Sequence, residues 1–388
     1  MPESNNKVLP PPAEMPQVVE NLFRREWGKM VATLTRIFGI EHLELAQDVV
    51  QQALVKALQT WPYYGVPENP SAWIMRVSRN LALDQVRRET TFRNKETEIA
   101  GFFERQPPGD LDLSKDEIAD DSLRMMFVCC HPQVPREAQV ALALRTLCGF
   151  GVAEIASAFL TTEAAIAKRL TRAKQRIRSA RIAFEIPAGE ELTERLNGVL
   201  QTLYLLFNEG YKASVGERLV REELCQEAIR LAELLAGHAA GNQPKCQALL
   251  ALMFLNAARL PARTDADGNI LRLKEQDRSR WDKPMMARGM FHLARSASGS
   301  EISDYHLQAG IAACHCAASS FENTDWPQIL SLYDRLVGLD DSPVVALNRA
   351  VAVANVRGPA AGIAAVKSIR SCKELQSYYL LYAVLGEF

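Results

Sequence analysis

The chain has 388 residues, 48% of them hydrophobic, and a formal net charge of −1 at pH 7. That length implies roughly two to four domains with ample apolar content for packed cores, and near-neutrality excludes an indiscriminate nucleic-acid binder, which needs many uncompensated Lys and Arg. No apolar signal segment follows Met1, and the longest uninterrupted apolar stretch, around Ala248 to Leu255, is far too short to span a bilayer, so a cytoplasmic chain without membrane contact is expected.

After a Pro-rich tail over 1–16, apolar residues recur at helical spacing through Val18 to Phe38, Leu45 to Trp61 and Ala72 to Val86. This predicts a compact helical domain over 17–92. Periodicity then lapses over 93–122, where Pro107-Pro108-Gly109 interrupts the chain and nine acidic residues face two basic ones between Glu96 and Leu123. The stretch reads as an acidic linker. Cationic segments flank it, with six basic residues against two acidic from Trp73 to Lys95 and seven against one from Glu163 to Arg181. A second helical unit is expected over 123–185, with Pro187-Ala188-Gly189 marking its end. The remainder, 190–388, is again helical in pattern, broken by turns such as Asp265 to Asn269 and Gly358-Pro359, and only Asn269 to Leu273 looks extended. The fold class is therefore all-α. Within the last part, Ala346 to Gly358 with Pro359 to Ile369, and Asp304 to Ser320 with Asp325 to Val337, resemble tetratricopeptide helix pairs of irregular period, a nonrepetitive bundle being the alternative.

The segment from Gly151 to Lys174 carries two helical faces separated by a short turn. Val152, Ile155, Ala156 and Phe159 form the first apolar face, and Ile166, Leu170, Ala173 and Ile177 the second, at i, i+4, i+7 and i+11. Thr162 is placed to cap the second helix, and Glu163 in its first turn complements the helix dipole. Lys168, Arg172 and Gln175 fall opposite the apolar stripe, flanked by Arg169 and Arg176, where they can meet a DNA groove. Ala164, Ala165 and Ala167 cannot hydrogen-bond base edges, so readout there leans on phosphates and groove shape.

Ala46 to Leu58, then Trp61, then Ser71 to Arg88 resemble in order and length region 2 of the sigma-70 family, and the helix-turn-helix downstream resembles region 4, as in the extracytoplasmic-function RNA polymerase sigma factors. The resemblance implies that Asp48, Gln51 and Gln52 dock on the clamp helices of the polymerase largest subunit. A polar i, i+3, i+4 cluster on an amphipathic helix suits such an interface. It also implies that the helix from Ala72 to Arg88 reads the minus-10 promoter element, with Trp73, Ile74, Val77 and Leu81 in the core, Arg76, Asn80, Asp84 and Arg87 on a polar stripe, and Arg88 beyond it. Tyr63, Tyr64 and Asn69 would receive bases freed on promoter opening, while Trp61 belongs to the core. Glu163, Lys168, Arg169, Arg172 and Arg176 would serve the minus-35 element, with region 4 also meeting the polymerase flap. The acidic linker is either a soluble tether or a segment that threads the polymerase's basic channels.

Five further motifs, Phe127-Val-Cys-Cys-His-Pro132, Leu203 to Tyr211, Gln276 to Asp282, Thr324-Asp-Trp326 and Ser342 to Ala350, resemble the subgroup of these factors with a large tetratricopeptide-like C-terminal extension. That subgroup dispenses with a separate anti-sigma factor, the extension regulating the sigma domains in cis. Asp277, Arg278 and Trp281 are candidates for that regulatory interface, or else for an internal capping network. No metal or other cofactor is expected. Adjacent residues in Cys129-Cys130-His131 and Cys314-His315-Cys316 cannot splay around one tetrahedral ion, Asp265 to Asn269 lacks the spacing of a calcium loop, and the eight cysteines lack a disulfide framework and read as reduced. No catalytic motif appears, so no enzyme is proposed. A polymerase-independent DNA-binding regulator would leave Asp48 to Arg88 without a role, and a helical scaffold would leave both basic patches unexplained.

Overall fold

The computed structural model describes residues 15–88, 115–159, 161–211, 220–299, 301–339, 342–369 and 379–387. Among these, the regular elements are all helices, and the only paired extended backbone is an isolated antiparallel bridge between Thr264 and Ile270. The all-α expectation holds, and Ile270 lies in the stretch read as locally extended. The chain forms two compact units, one made of Met1–Gly210 with Ser214–Gly216 and the other of Tyr211–Ala213 with Glu217–Phe388.

In the first unit, α1 (Met15–Phe38), α2 (Leu43–Tyr64) and α3 (Pro70–Arg88) pack on one another. Each turns one stripe inward: Val31, Leu34 and Phe38; Val49, Val50, Ala53 and Ala57; Ile74, Ala82 and Val86 are all buried. Trp61 takes the core role expected of it, 1% exposed and edge-on to Trp73 at 5.4 Å. A second cluster comprises α4 (Lys115–Cys129), α5 (Arg136–Leu147), α6 (Val152–Ala158) and α7 (Glu163–Ala180). Helix α4 begins inside the stretch expected to be linker, and Asp121 and Ser122 are buried. Residues 89–114 of that stretch lie outside the described residues, as do 1–14 of the tail and Cys372.

The two clusters share an interface, because α1 packs against α4 and α5 as well. Gly28 makes the approach possible: a Cβ there would lie 1.9 Å from the Leu147 carbonyl oxygen. Polar contacts cross the same joint. The buried Asp121 carboxylate accepts from Thr33 Oγ1 (3.2 Å) and Arg36 Nε (2.9 Å), and from Arg124 on its own helix (3.1 Å). Gln47 Nε2 donates to Thr146 Oγ1 (3.3 Å), and Lys174 Nζ donates to Gln47 Oε1 (3.0 Å).

Helix α8 (Gly189–Tyr211) packs with this first unit through Gly210, although its sequence opens the expected extension. Gly198 lies against Cys130 and Gln139, and Arg136 Nε donates to Gln201 Oε1 at 3.0 Å. The break at Pro187-Ala188-Gly189 therefore marks a helix start rather than the end of a packed body.

The second unit contains α9 (Glu222–Gly237), α10 (Pro244–Ala257), α11 (Lys283–Ser296), α12 (Asp304–Ala317), α13 (Trp326–Val337), α14 (Pro343–Arg357), α15 (Pro359–Ile369) and α16 (Tyr379–Glu387). Helix α10 is apolar on nearly all sides and is covered by α9, α11 and α12. From α12 onward each helix packs on the next through α15, giving the two helix pairs read from the sequence. Gly358 ends α14 with φ +89°, a value costly for a side-chain-bearing residue, and its amide bonds the Ala354 carbonyl.

Candidate nucleic-acid interface

Helices α6 and α7 form the helix-turn-helix. Glu154 accepts from the Gly151 amide (2.7 Å) ahead of α6, and Thr162 caps α7 by accepting from the Ala165 amide (3.3 Å), the role its position predicted. The α7 stripe of Ile166, Leu170, Ala173 and Ile177 is buried as expected, whereas Val152 and Phe159 at the ends of the α6 face are only half-buried. Opposite that stripe, Lys168, Arg172 and Gln175 are exposed, as are Glu163 in the first turn and Arg176 on the flank, where Arg169 is half-buried. Arg169, Arg172, Gln175 and Arg176 line a cleft of about 470 Å³ whose far wall includes Pro135 and Ala138. Concentrated cations on a helix in an open cleft suit an anionic backbone. Lys174 and Arg178, which the sequence reading left out of this set, turn the other way and pair with Glu44 of α2 at 3.6 and 3.3 Å.

On α2, Asp48, Gln51 and Gln52 are all exposed. The same face continues through Val55 and Leu58, 46% and 40% exposed. Sequence reasoning missed these two, although their i+7 and i+10 spacing from Asp48 signals them. Apolar groups beside amides and a carboxylate make a surface suited to another helix.

Tyr63 and Tyr64 project at 82% and 85% exposure from the end of α2, directly after the buried Trp61. Large rings so open to water do no packing work in the fold and are available to stack. Asn69 is exposed and occupied locally: its Oδ1 accepts from the Ala72 amide (3.0 Å) and so starts α3. Arg76, Asn80 and Asp84 form an exposed stripe on α3. The side chains of Arg87 and Arg88, expected to extend it, lie outside the described residues.

Residues 22–92 match the family model for sigma-70 region 2, and residues 124–177 match that for sigma-70 region 4. The chain belongs to the sigma-70 family, as a protein of the extracytoplasmic-function type. Residues 195–297 of this sigma factor match a family of unknown function (DUF6596). An uncharacterized protein of Rhizobium meliloti is 40% identical over 369 residues, covering 92% of this chain and 84% of that protein. The probable extracytoplasmic-function RNA polymerase sigma factor SigI of Mycobacterium tuberculosis is 25% identical over 187 residues, 45% of this chain and 62% of its own length. SigL of the same organism is 28% identical over 136 residues, 34% and 72% respectively. No solved structure matches the chain.

The segment expected to serve regulation is engaged within the second unit of this sigma factor. Asp277 is exposed but caps a short helical turn by accepting from the Ser279 amide and hydroxyl (2.9 and 2.7 Å). Arg278 donates to the carbonyls of His315 and Ala318 (2.6 and 2.7 Å) and lies 4.7 Å from the ring of Trp281, which is 4% exposed. Asp282 caps α11 at the Met285 amide. These contacts follow the internal-capping alternative. Asp265 likewise closes a turn, accepting from the amides of Asp267 and Asn269 (2.9 and 2.8 Å). The cysteines outside 372 are free, and burial pushes the Cys130 thiol up to about 12. Among the described residues no helix is long and apolar enough to cross a membrane.

Proposed function

We propose that this sigma factor directs core RNA polymerase to specific promoters and helps to open them, in the cytoplasm and without a separate anti-sigma partner. In this reading the α2 face of Asp48, Gln51, Gln52, Val55 and Leu58 docks on the clamp helices of the polymerase. The α3 stripe of Arg76, Asn80 and Asp84, continued by Arg87 and Arg88, serves the minus-10 element with Tyr63, Tyr64 and Asn69, and Glu163, Lys168, Arg169, Arg172 and Arg176 serve the minus-35 element. The observation that carries the reading is the coexistence, in one unit, of an exposed cationic recognition helix with two largely exposed tyrosines beside a basic helix. Duplex readout alone has no use for the tyrosines; strand opening does.

The test is transcription by bacterial core polymerase supplied with the purified chain and a library of promoter fragments. Specific new transcripts are expected. Duplex binding without polymerase association would instead make the chain a free-standing regulator, and neither activity would leave a scaffold.

Regulation in cis by the extension is part of the proposal. It is supported by α8, most of whose sequence falls in the extension's family match while its Gly198 lies against Cys130 and Gln139 and its Gln201 accepts from Arg136, beside the helix-turn-helix. Asp277, Arg278 and Trp281 contribute by fixing the framework of the second unit. Ending the chain before Gly189 should change transcript yield at least about fivefold relative to the full chain, and equal yields would remove the regulatory part alone.

A further inference from the structure

The second unit holds a cleft of about 420 Å³, well inside the range of small-molecule sites. One wall is aromatic. His315 and Phe321 both stand edge-on to Trp326, at 5.5 and 5.2 Å between ring centres, and Tyr333 completes the lining there. Across from these rings, α14 contributes Val351 and Ala354, with the exposed amides of Asn348 and Asn355 two turns apart. Arg272 and Lys274 supply two cations at the rim, the first capping and the second within the short helical turn Leu273–Glu275.

The charges do not stand alone. Glu275 holds Arg272 from the same turn, accepting at Nε (2.8 Å) and at the backbone amide (2.9 Å). Glu387, reaching in from α16, pairs with Lys274 and with Arg272 (3.4 Å) and itself lines the cleft. Two cations therefore face two carboxylates, one of them fixed by its own turn and the other borrowed from a distant helix. Helix α16 is anchored through Leu381, buried against Leu347, Ala350 and Val366, and that anchor does not need Glu387. All three charged partners of the rim pair are more than a third exposed, so the Glu387 pairs hold weakly. Removing Glu387 leaves an unmatched positive charge beside an aromatic wall.

We propose that this cleft is a binding site for a small carboxylic acid with a flat apolar body, whose carboxylate takes the place of the Glu387 side chain on Arg272 and Lys274 while its body lies against Trp326 and Phe321. Asn348 and Asn355 are positioned to bind polar substituents. His315 stays neutral in this wall, since burial and the nearby Arg259 and Arg278 hold it down to about 4, so selection for an anion rests on Arg272 and Lys274.

The test is calorimetric titration of the full-length chain with indole-3-acetate and 3-phenylpropionate, with indole-3-acetamide as the uncharged control. It needs neither polymerase nor DNA, so its outcome is separate from the transcription reading. Saturable binding of the two acids and at least tenfold weaker binding of the amide are expected. Glu387→Gln should tighten the acids about two- to fivefold, the strength of an exposed ion pair, and Lys274→Met should weaken them by a similar factor. Circular dichroism checks that both variants fold, as expected for exposed sites. The proposal is overturned by no saturable binding of either acid to wild type and Glu387→Gln, by equal binding of acid and amide, or by affinities indifferent to both variants. Binding confined to an added probe peptide of alternating aspartate and phenylalanine would also overturn it, making the cleft a peptide groove.

Discussion

Asp121→Ala probes the joint between the two helical clusters of the first unit. The Asp121 side chain is 1% exposed and faces Thr33, Arg36 and Arg124 at 3.2, 2.9 and 3.1 Å. Breaking a fully buried ion pair costs about 3–5 kcal/mol, because the charge left behind has no solvent. Here Arg36 and Arg124 retain 27% and 33% of their side-chain exposure. Water can reach both guanidinium groups, which lowers the expected cost to about 2–3 kcal/mol. In native-state hydrogen exchange, amides of α1 and α4 should lose about 30- to 150-fold of their protection, at roughly 1.4 kcal/mol per tenfold. Arg36→Met supplies a double-mutant cycle: the pair of changes together should cost less than their sum, since each removes the other's partner. Protection unchanged within about threefold, or strict additivity of the two changes, would refute the claim that this carboxylate joins the clusters.

Three other outcomes follow from the same structure. His315 titrates near 6.5 in the unfolded chain and near 4 when folded, so the unfolded state binds more protons between those values. The stability of the second unit should be full above pH 6.5 and fall by up to about 3 kcal/mol as pH drops toward 4. Urea midpoints should show that slope in the wild type and lose it in His315→Gln; equal slopes would contradict the assignment. Lys168→Ala and Arg172→Ala, both at exposed positions, should each reduce the slope of log affinity against log salt on promoter duplex by about 0.9, and an unchanged slope would mean that α7 does not meet phosphates. Val55→Glu and Leu58→Glu should leave thermal stability within about 0.5 kcal/mol yet weaken core-polymerase binding at least tenfold by fluorescence anisotropy. Unaltered binding would remove this face from the docking surface.

Features governed by local chemistry were legible in the sequence. The Thr162 cap, the buried stripe from Ile166 to Ile177, the Gly358 helix stop and the Asp265 turn each depend on a few neighbouring residues, and each is present. Features set by partners distant in sequence were not. Asp121 counted as one more charge in an acidic linker, because its partners Thr33 and Arg36 lie 88 and 85 positions away. Gln47 and Lys174, 127 positions apart, gave no sign of meeting. Arg278 and Trp281 left an interface and an internal capping network equally open, because the two carbonyls that Arg278 Nη1 meets lie 37 and 40 positions away, where α12 ends.

The Gln47 bridge to Thr146 and Lys174 also constrains reach. Elements named for positions 10 and 35 are about 25 base pairs apart, roughly 85 Å along B-form DNA at 3.4 Å per pair. A packed body of about 170 residues, the described part of the first unit, measures only about 40 Å across, from the scaling of compact domains. While this bridge and the Asp121 cluster are closed, the tyrosines after α2 and the cations of α7 span too little distance to touch both elements of the proposed target together. Full engagement then requires parting α1 from α5 and exposing the surface around Gly28. The work of that separation is subtracted from the affinity of the free chain for DNA, so a partner that prefers the parted form would turn a weak solitary binder into a tight one.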